Sequence, residues 1–313
     1  MLRGFGVPVA GAWATPENQV RLVRRAEELG YRSVWTFQRL LVPAEPDARA
    51  GAPVYRSVHD PIVSLAYLAG QTSRIRLGLA VANVPFFSPA LLAKQLATLD
   101  AVSGGRLDVG LGLGWMREEF QAVGVPIQER GARAEEFVAA LRALWSDEVV
   151  EFHGRFYEIP PTRFDPKPLQ RPHPPLLLGG NVAAAWRRAG RLADGWVGGS
   201  MADLTRLGAV VDTVRRAAVE AGRDPDALRL VCRGVVRVRA GGPQRASHPG
   251  DGPRRPLSGS LDQIRGDLDG IAAQGVTELF FDLNFDPEVG SPEVDPEAAV
   301  RRAEEVLEAL APG

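Results

Sequence analysis

Short apolar runs alternate with amphipathic stretches along the whole chain. Eight runs have the length and composition of strands, and they span residues 5–10, 33–37, 74–84, 106–112, 174–178, 195–198, 228–240 and 278–283. After each run, apolar residues recur at the spacing of one helix face. Strands that alternate with helices form parallel sheets, and open sheets of this kind usually hold roughly five or six strands. The pattern therefore predicts an α/β fold, a (β/α)8 TIM barrel in one domain over residues 1–313.

Two stretches do not fit the repeating unit. Residues 147–173 contain an alternating run, 149–157, which includes Gly154 and predicts a hairpin inserted in the barrel. Residues 241–258 are rich in Gly, Pro, Arg and Ser, a composition that predicts a mobile loop. We therefore expect a barrel with inserted segments.

Composition narrows the choice of partners. The formal net charge of -1 gives no field that would favour nucleic acid. No window of about 18 uncharged apolar residues exists, so no membrane span is expected. The single cysteine, Cys232, cannot form an intrachain disulfide, and the N-terminus lacks the pattern of a signal peptide. These features predict a cytoplasmic protein that acts on a small molecule.

Glycines mark the fourth predicted strand. Gly110, Gly112 and Gly114 alternate and therefore point to one face of the sheet. Without side chains they would let a flat ligand or a phosphate approach the backbone. The same pattern would also serve as a layer of small residues that relieves crowding inside a barrel, and both interpretations stay open.

A second glycine site follows the fifth predicted strand. Gly179, Gly180 and Asn181 stand where that strand turns into a helix, and a helix N-terminus with free N–H groups favours a phosphate. A simple tight turn is the alternative. Two glycine sites on neighbouring loops favour one elongated, phosphate-bearing cofactor over either site alone.

Two arginines near the start of a predicted helix are further candidates. Arg130 or Arg133 would be able to bind an anion there. The competing interpretation is an ion pair with the nearby carboxylates Glu135 and Glu136, which we favour for at least one of the arginines.

Other chemistries find little support in the sequence. The four histidines show no spacing typical of zinc ligands, so no metal site is predicted. There is no Gly-x-Ser-x-Gly motif, and no lysine ends a predicted strand. A site poor in acids, bases and metals indicates that a cofactor carries the redox chemistry.

Several stretches spread through most of the chain carry a family resemblance. They are residues 30–35, 75–78, 91–100, 103–107, 110–115, 117–120, 154–157, 166–168 and 172–175, the last leading into Gly179 and Gly180. On these stretches the chain resembles the luciferase-like monooxygenase superfamily, and within it the branch of F420-dependent oxidoreductases.

The resemblance implies a flavin-type ring across the carboxyl ends of the barrel strands, often in a homodimer. A bulge with a non-proline cis peptide in the third strand, near Ala80 and Val81, is implied to support the ring. The implied cofactor-binding residues are Ala80, Val81, Gly112, Leu113, Gly114, Trp115, Met116, Gly179, Gly180, Asn181 and Ala183.

The chain departs from the F420 branch after the second strand. Many F420-dependent relatives carry an Asp-His pair there, whereas this chain has Gln38 and Arg39. We take Gln38, Arg39 and His59 as the candidate catalytic residues, with His59 as a substitute acid or base. Arg39 is alternatively a ligand for an anionic substrate or for the deazaflavin tail.

The leading hypothesis is hydride transfer between coenzyme F420 and a small organic substrate. The closer resemblance to the F420 branch favours this cofactor, as does an Arg-rich, Lys-poor composition typical of GC-rich genomes such as those of actinobacteria. The first alternative is a monooxygenase that receives reduced FMN from a partner reductase. The second is a relative that binds the cofactor without catalysis.

Overall fold

The computed structural model describes residues 1–47, 49–239 and 254–313. Its strands are β1 Leu2–Gly6, β2 Ser33–Thr36, β3 Arg76–Leu79, β4 Ala82–Asn83, β5 Leu107–Gly112, β6 Val150–His153, β7 Glu158–Thr162, β8 Leu176–Gly179, β9 Gly195–Gly198, β10 Arg229–Val235, β11 Arg237–Val238, β12 Ser258–Gly259 and β13 Glu278–Asp282. All except β6, β7, β11 and β12 form one parallel sheet, in which β3 and β4 share a single position. Pairing of β3 with both β2 and β5 closes the sheet. The predicted eight-stranded TIM barrel is confirmed.

Helices follow the barrel strands and cover the barrel from outside. They are α1 Pro16–Glu28, α2 Pro61–Ala69, α3 Pro89–Val102, α4 Arg117–Ala122, α5 Arg130–Ser146, α6 Ala183–Leu192, α7 Leu207–Glu220, α8 Leu261–Ala272, α9 Pro287–Gly290 and α10 Pro296–Ala309. Local sequence explains where they begin. In α1, for example, the Thr15 side chain accepts a hydrogen bond from the Asn18 N–H, and Pro16 occupies the first turn.

The first strand lies closer to the N-terminus than predicted. β1 covers Leu2–Gly6 and pairs with β2 and β13, whereas the sequence pattern pointed to residues 5–10. Residues 7–10 are buried although they are not in the sheet. The apolar run therefore continues past the strand because the chain stays covered where it leaves the barrel.

The inserted hairpin is present, but its second strand, β7, lies beyond the predicted run of residues 149–157. β6 and β7 pair with His153 opposite Glu158, so residues 154–157 connect them. The Glu136 carboxylate accepts hydrogen bonds from the N–H groups of Phe156 (2.8 Å) and Tyr157 (2.7 Å), which fixes this turn against α5. A carboxylate from a distant helix thus satisfies backbone groups that a strand would have paired.

The predicted loop at residues 241–258 falls largely outside the described residues, which resume at Arg254. Its last residue is not in a loop, because Ser258 belongs to β12 and pairs with Arg237 of β11.

A buried charge cluster closes the amino-terminal end of the barrel. Asp108, at the start of β5, is fully buried and accepts hydrogen bonds from Arg76 (2.5 Å) and Arg229 (2.5 Å). Burial alone would raise the pKa of Asp108, but the two guanidinium groups hold that pKa below its ordinary value. Through these two ion pairs, Asp108 connects β5 to its neighbour β3 and also to β10, which does not pair with β5 in the sheet.

A bulge interrupts the third barrel strand. β3 ends at Leu79 and β4 begins at Ala82, and the peptide bond between Ala80 and Val81 is cis, as the resemblance implied. Neighbouring glycines make room for it. A Cβ at Gly110 would overlap the Leu79 carbonyl, and one at Gly112 would overlap the Val81 side chain.

Gly179 of β8 completes this arrangement, because a Cβ there would lie 3.1 Å from Cγ1 of Val81. Gly112 itself is buried. For Gly110 and Gly112 the structure therefore favours the interpretation as small residues that relieve crowding. The glycines define the space into which the bulge fits.

We expect Asp108→Asn to lower the free energy of unfolding by about 3 kcal/mol, because the half-buried Arg76 and Arg229 would lose the buried carboxylate that they share. Urea denaturation measures this change. The exposed Asp262, which pairs with Arg265 on the surface of α8, supplies the control variant Asp262→Asn, for which we expect a change below about 1 kcal/mol.

The same carboxylate gives a pH dependence. Since the folded-state pKa of Asp108 is depressed, its stabilising contribution is present above the unfolded pKa of about 4 and is lost as the pH falls towards the folded value. Asp108→Asn should flatten this part of the stability profile. An unchanged acid limb in the variant would contradict the assignment.

We expect Gly112→Ala to destabilise the protein by about 1–3 kcal/mol, because its Cβ would collide with Val81 and lie 2.9 Å from Oδ1 of Asn83. Val81→Ala removes one of these obstacles, so the double variant should recover part of the loss. A double-mutant cycle in thermal unfolding measures the coupling. Simple additivity of the two changes would show that Gly112 does not accommodate the bulge.

Candidate functional site

The carboxyl ends of the barrel strands surround an open mouth. Val81, Leu113, Trp115, Gly180 and Ser200 lie there, all partly exposed. Beside them runs a cleft with two adjoining lobes of about 280 and 370 Å³. We call this the mouth cleft, and both of its lobes are lined by Ser200, Met201, Val235 and Arg237. The site position that barrel topology predicts is therefore concave.

A buried ion pair lies beneath the mouth. Arg233 of β10, only 3% exposed, contacts Asp282 of β13 at 2.6 Å and donates a second hydrogen bond to the carbonyl of Ala80. Oδ1 of Asp282 in turn accepts from the side chain of Asn284 (2.8 Å). This chain of contacts fixes the bulge peptide from inside the barrel.

Sequence reasoning missed this pair, although a signal was present. Arg233 and Asp282 each interrupt an apolar strand, and a charge inside a barrel must be paired because burying it alone is costly. The rings of Phe37, Phe280 and Phe285 also surround the guanidinium, with centroids 5.0–5.3 Å from Cζ of Arg233.

Arg39 is held in a second buried ion pair. Its guanidinium donates to Glu119 of α4 at 2.7 Å, and the two side chains are 6% and 1% exposed. Glu119 also accepts from the N–H of Leu40 at 2.7 Å, and Arg39 lies over the Tyr55 ring at 4.3 Å. The charge of Arg39 is therefore compensated within the protein, and the pair fastens the loop after β2 to the mouth.

Gln38 has a different contact. Its side-chain carbonyl accepts a hydrogen bond from the Asn83 N–H at 2.8 Å, which connects the end of β2 to β4. Gln38 and Arg39 thus follow the same strand end and contact two different elements, β4 and α4.

His59 lies apart from these two residues. It is exposed, its Nδ1 is 3.2 Å from Nε2 of Gln19, and it borders a shallow cavity with Pro16 and Tyr67. Those neighbours belong to α1 and α2, on the outside of the barrel. The structure does not bring His59 together with Gln38 and Arg39.

The N-terminus of α6 has the features of an anion site. The Gly180 carbonyl accepts hydrogen bonds from the indole N–H groups of both Trp186 and Trp196, each at 3.0 Å. Gly180 has φ of 143°, and a Cβ there would collide with Ala185. The next residues, Asn181 to Ala184, are exposed, and the helix has no side-chain cap. Its first N–H groups are available to a phosphate.

The two arginines near α5 have separate surroundings. Arg133 pairs with Glu129 at 3.0 Å, so an ion pair forms, but not with Glu135 or Glu136. Arg130 donates to the Ile127 carbonyl at 2.8 Å. Among the residues that the structure describes, Arg130 has no carboxylate partner.

The remaining cofactor-binding residues that the resemblance implies differ in how exposed they are. Leu113, Gly114 and Trp115 are partly exposed at the mouth, whereas Met116 is buried and faces Arg39. In the described part of the chain no group of His, Cys, Asp and Glu side chains is arranged to hold a metal ion. None of the described helices is long and apolar enough to cross a membrane.

The curated proteins to which this chain is similar include a mycobacterial protein and an FMNH2-dependent enzyme. The Mycobacterium tuberculosis protein Rv0940c is 35% identical over 218 residues, which are 65% of this chain and 72% of that protein. An FMNH2-dependent dimethylsulfone monooxygenase of Pseudomonas putida is 38% identical over 167 residues, which are 52% of this chain and 46% of that enzyme.

Solved structures share the fold over almost the whole chain. The monooxygenase RslO1 from Streptomyces bottropensis has a TM-score of 0.79 and 26% identity, with 99% of this chain and 98% of that one covered. An F420-dependent secondary alcohol dehydrogenase has a TM-score of 0.76 with the same coverage, and at 17% identity this likeness concerns the fold alone.

A family model matches most of the chain, including the segments that form the mouth. The model of the luciferase-like monooxygenases matches residues 3–246, which include seven of the eight barrel strand positions, the bulge and the N-terminus of α6. This chain belongs to the luciferase-like monooxygenase family and is an oxidoreductase of that class.

Proposed function

We propose that this protein transfers a hydride between coenzyme F420 and a small organic substrate at the barrel mouth. The observation that carries the proposal is a preformed bulge at Ala80 and Val81 next to an uncapped helix N-terminus at Ala183. Such a pair suits a flat ring and a phosphate joined by a short chain. The residues present therefore fit a flavin-type cofactor.

Each part of the protein has a defined task in this proposal. Val81 forms a partly exposed surface for one face of the ring, and Arg233 holds the Ala80 carbonyl so that this surface does not shift. The N–H groups at the start of α6 would hold the phosphate. When bound, the cofactor supplies the hydride chemistry. The protein supplies orientation, which is worth several orders of magnitude in rate.

Aromatic side chains form part of the wall of the mouth. Tyr55 lies 6.2 Å from Trp115 and 6.0 Å from Phe285, measured between ring centroids. Apolar rings around the reacting atoms exclude water and strengthen the remaining polar contacts. Because Arg39 is already paired with Glu119, we assign it to holding the loop and not to proton transfer.

The choice of F420 rests on the sequence resemblance to the F420-dependent branch. A specific observation favours a second candidate, a monooxygenase that uses reduced FMN from a separate reductase. That observation is the 38% identity to an enzyme described as FMNH2-dependent. A cofactor-binding relative without catalysis is the third candidate. The homodimer and the cytoplasmic location implied by the sequence stay predictions.

We expect the purified protein to bind F420 with micromolar affinity and FMN much more weakly. Fluorescence titration of each cofactor measures this preference. The reverse preference would favour the monooxygenase, to be assayed with a flavin reductase and oxygen. Binding of neither cofactor would contradict both enzymatic candidates, and binding without turnover across a substrate screen would favour the third.

We expect Ala183→Pro to weaken cofactor binding about tenfold, because it removes one N–H donor to a charged phosphate. Proline is tolerated at the first position of a helix, and Val182 already has the extended conformation that precedes proline (φ -132°, ψ 152°). Ala183→Ser keeps the N–H and serves as the control. Equal affinity in both variants, with unchanged circular dichroism, would contradict the phosphate site.

A further inference from the structure

The mouth cleft has a charge distribution that the proposed function does not use. We propose that it binds the acidic group of an organic-anion substrate between Arg237 and Arg255. The substrate would be a small, largely apolar molecule with one carboxylate or sulfonate group. This inference rests on the proposed function, because it names the substrate class for the same site.

Positive charge dominates the lining of the cleft. Among the residues that the structure describes, one acidic residue, Asp203, and four arginines line it; the arginines are Arg49, Arg233, Arg237 and Arg255. Asp203 is exposed and accepts hydrogen bonds from the side chain (2.6 Å) and N–H (3.0 Å) of Thr205. A wall of one sign concentrates ligands of the opposite sign.

Arg237 and Arg255 lack carboxylate partners among the described residues. Arg237 donates only to the Phe285 carbonyl, at 3.3 Å. The nearby Arg239 shows the contrast, because it pairs with Asp286 at 2.9 Å and with Glu288 at 3.2 Å. Asp286 and Glu288 therefore make their direct ion pairs with Arg239, and Arg237 is compensated only at longer range, by Asp286.

Burial makes the charge of Arg237 costly without a direct ion pair. Arg237 is half-buried, and its burial lowers the pKa of its guanidinium; the attraction of Asp286 opposes this shift, and repulsion from Arg255 and Arg239 adds to it. An anion placed between Arg237 and Arg255 would relieve both effects. The direction of the pKa shift agrees with the geometry of the two arginines at the cleft.

A third arginine provides an independent observation. Arg233 lines the same cleft and is 3% exposed, yet its Nε has no hydrogen-bond partner. A buried donor without an acceptor is unfavourable, so Asp282 and the Ala80 carbonyl satisfy the Arg233 guanidinium only in part. The same guanidinium holds the Ala80 carbonyl, so the acidic group would lie close to the bulge.

Apolar side chains line much of the rest of the cleft, beside Ser200 and Asn284. Met201 and Val235 line both lobes, Leu204 and Pro256 line one of them, and Phe285 lines the other. With lobes of about 280 and 370 Å³, the cleft has room for a small molecule whose apolar body contacts these side chains. We therefore expect selection of an amphiphilic anion over an inorganic ion.

Isothermal titration calorimetry of the full chain tests the proposal with hexanesulfonate, hexanoate, 1-hexanol and inorganic sulfate. We expect the two organic anions to bind more tightly than 1-hexanol or sulfate. Arg237→Gln and Arg255→Gln should each weaken their binding about tenfold. Arg216→Gln, on the exposed face of α7, removes one charge elsewhere and should leave binding unchanged.

Several outcomes would overturn the proposal. Equal binding of 1-hexanol and hexanesulfonate would show that the negative charge of the ligand plays no role. Equal losses of affinity in the Arg216 and Arg237 variants would show that only the net charge of the protein matters, and not an arginine at the cleft. Arg255 is exposed, so Arg255→Gln remains informative even if Arg237→Gln does not fold. If inorganic sulfate bound as tightly as hexanesulfonate and hexanoate, the cleft would be a site for inorganic anions and the proposed substrate class would be wrong.

The same variants separate this inference from the proposed function. F420 and FMN affinities should be unchanged in Arg255→Gln. A parallel loss of cofactor affinity would assign the arginines to the cofactor and overturn the substrate assignment. Anion binding in a protein that binds neither cofactor would contradict the proposed function and leave the anion site standing.

Discussion

The site depends on the empty space that three glycines leave beside the third barrel strand. A side chain at Gly110, Gly112 or Gly179 would collide with or crowd the segment from Leu79 to Val81. Barrel interiors are packed as densely as crystals, so this space cannot be made by small adjustments elsewhere. The glycines therefore determine where the strand departs from its ladder, and the bulge determines where a flat ring would rest.

Charge is used in a consistent way around this bulge. Asp108 joins strands at the closed end of the barrel, Arg233 and Asp282 lie beneath the bulge, and Glu119 holds Arg39 at the rim. Buried pairs of this kind add little net stability but strongly disfavour arrangements in which one partner is unpaired. They fix strand ends and loops in one geometry, which a positioned cofactor requires.

The order of strands and helices could be predicted from the sequence, because that order depends on local periodicity and helix capping. It also located the bulge, through the resemblance, at Ala80 and Val81. The alternating glycines remained ambiguous, because an approaching ligand and a neighbouring bulge both require a missing side chain. Only the position of Val81 next to Gly112 distinguishes the two.

The roles of charged residues were less accessible to sequence reasoning. The partner of Arg39 lies 80 positions away, and Arg233 and Asp282 are 49 apart. His59 follows Arg39 in the same loop region, yet it contacts α1 on the outside of the barrel. Side-chain pairing across a barrel is set by tertiary packing, which periodicity does not encode.

A crystal structure of the protein with F420 or FMN bound would test directly whether the bulge and the N-terminus of α6 form the cofactor site. We expect the ring to lie against Ala80 and Val81, with the phosphate at the N–H groups of Asn181 to Ala183. A ring bound away from the bulge, or a phosphate held elsewhere, would contradict this expectation.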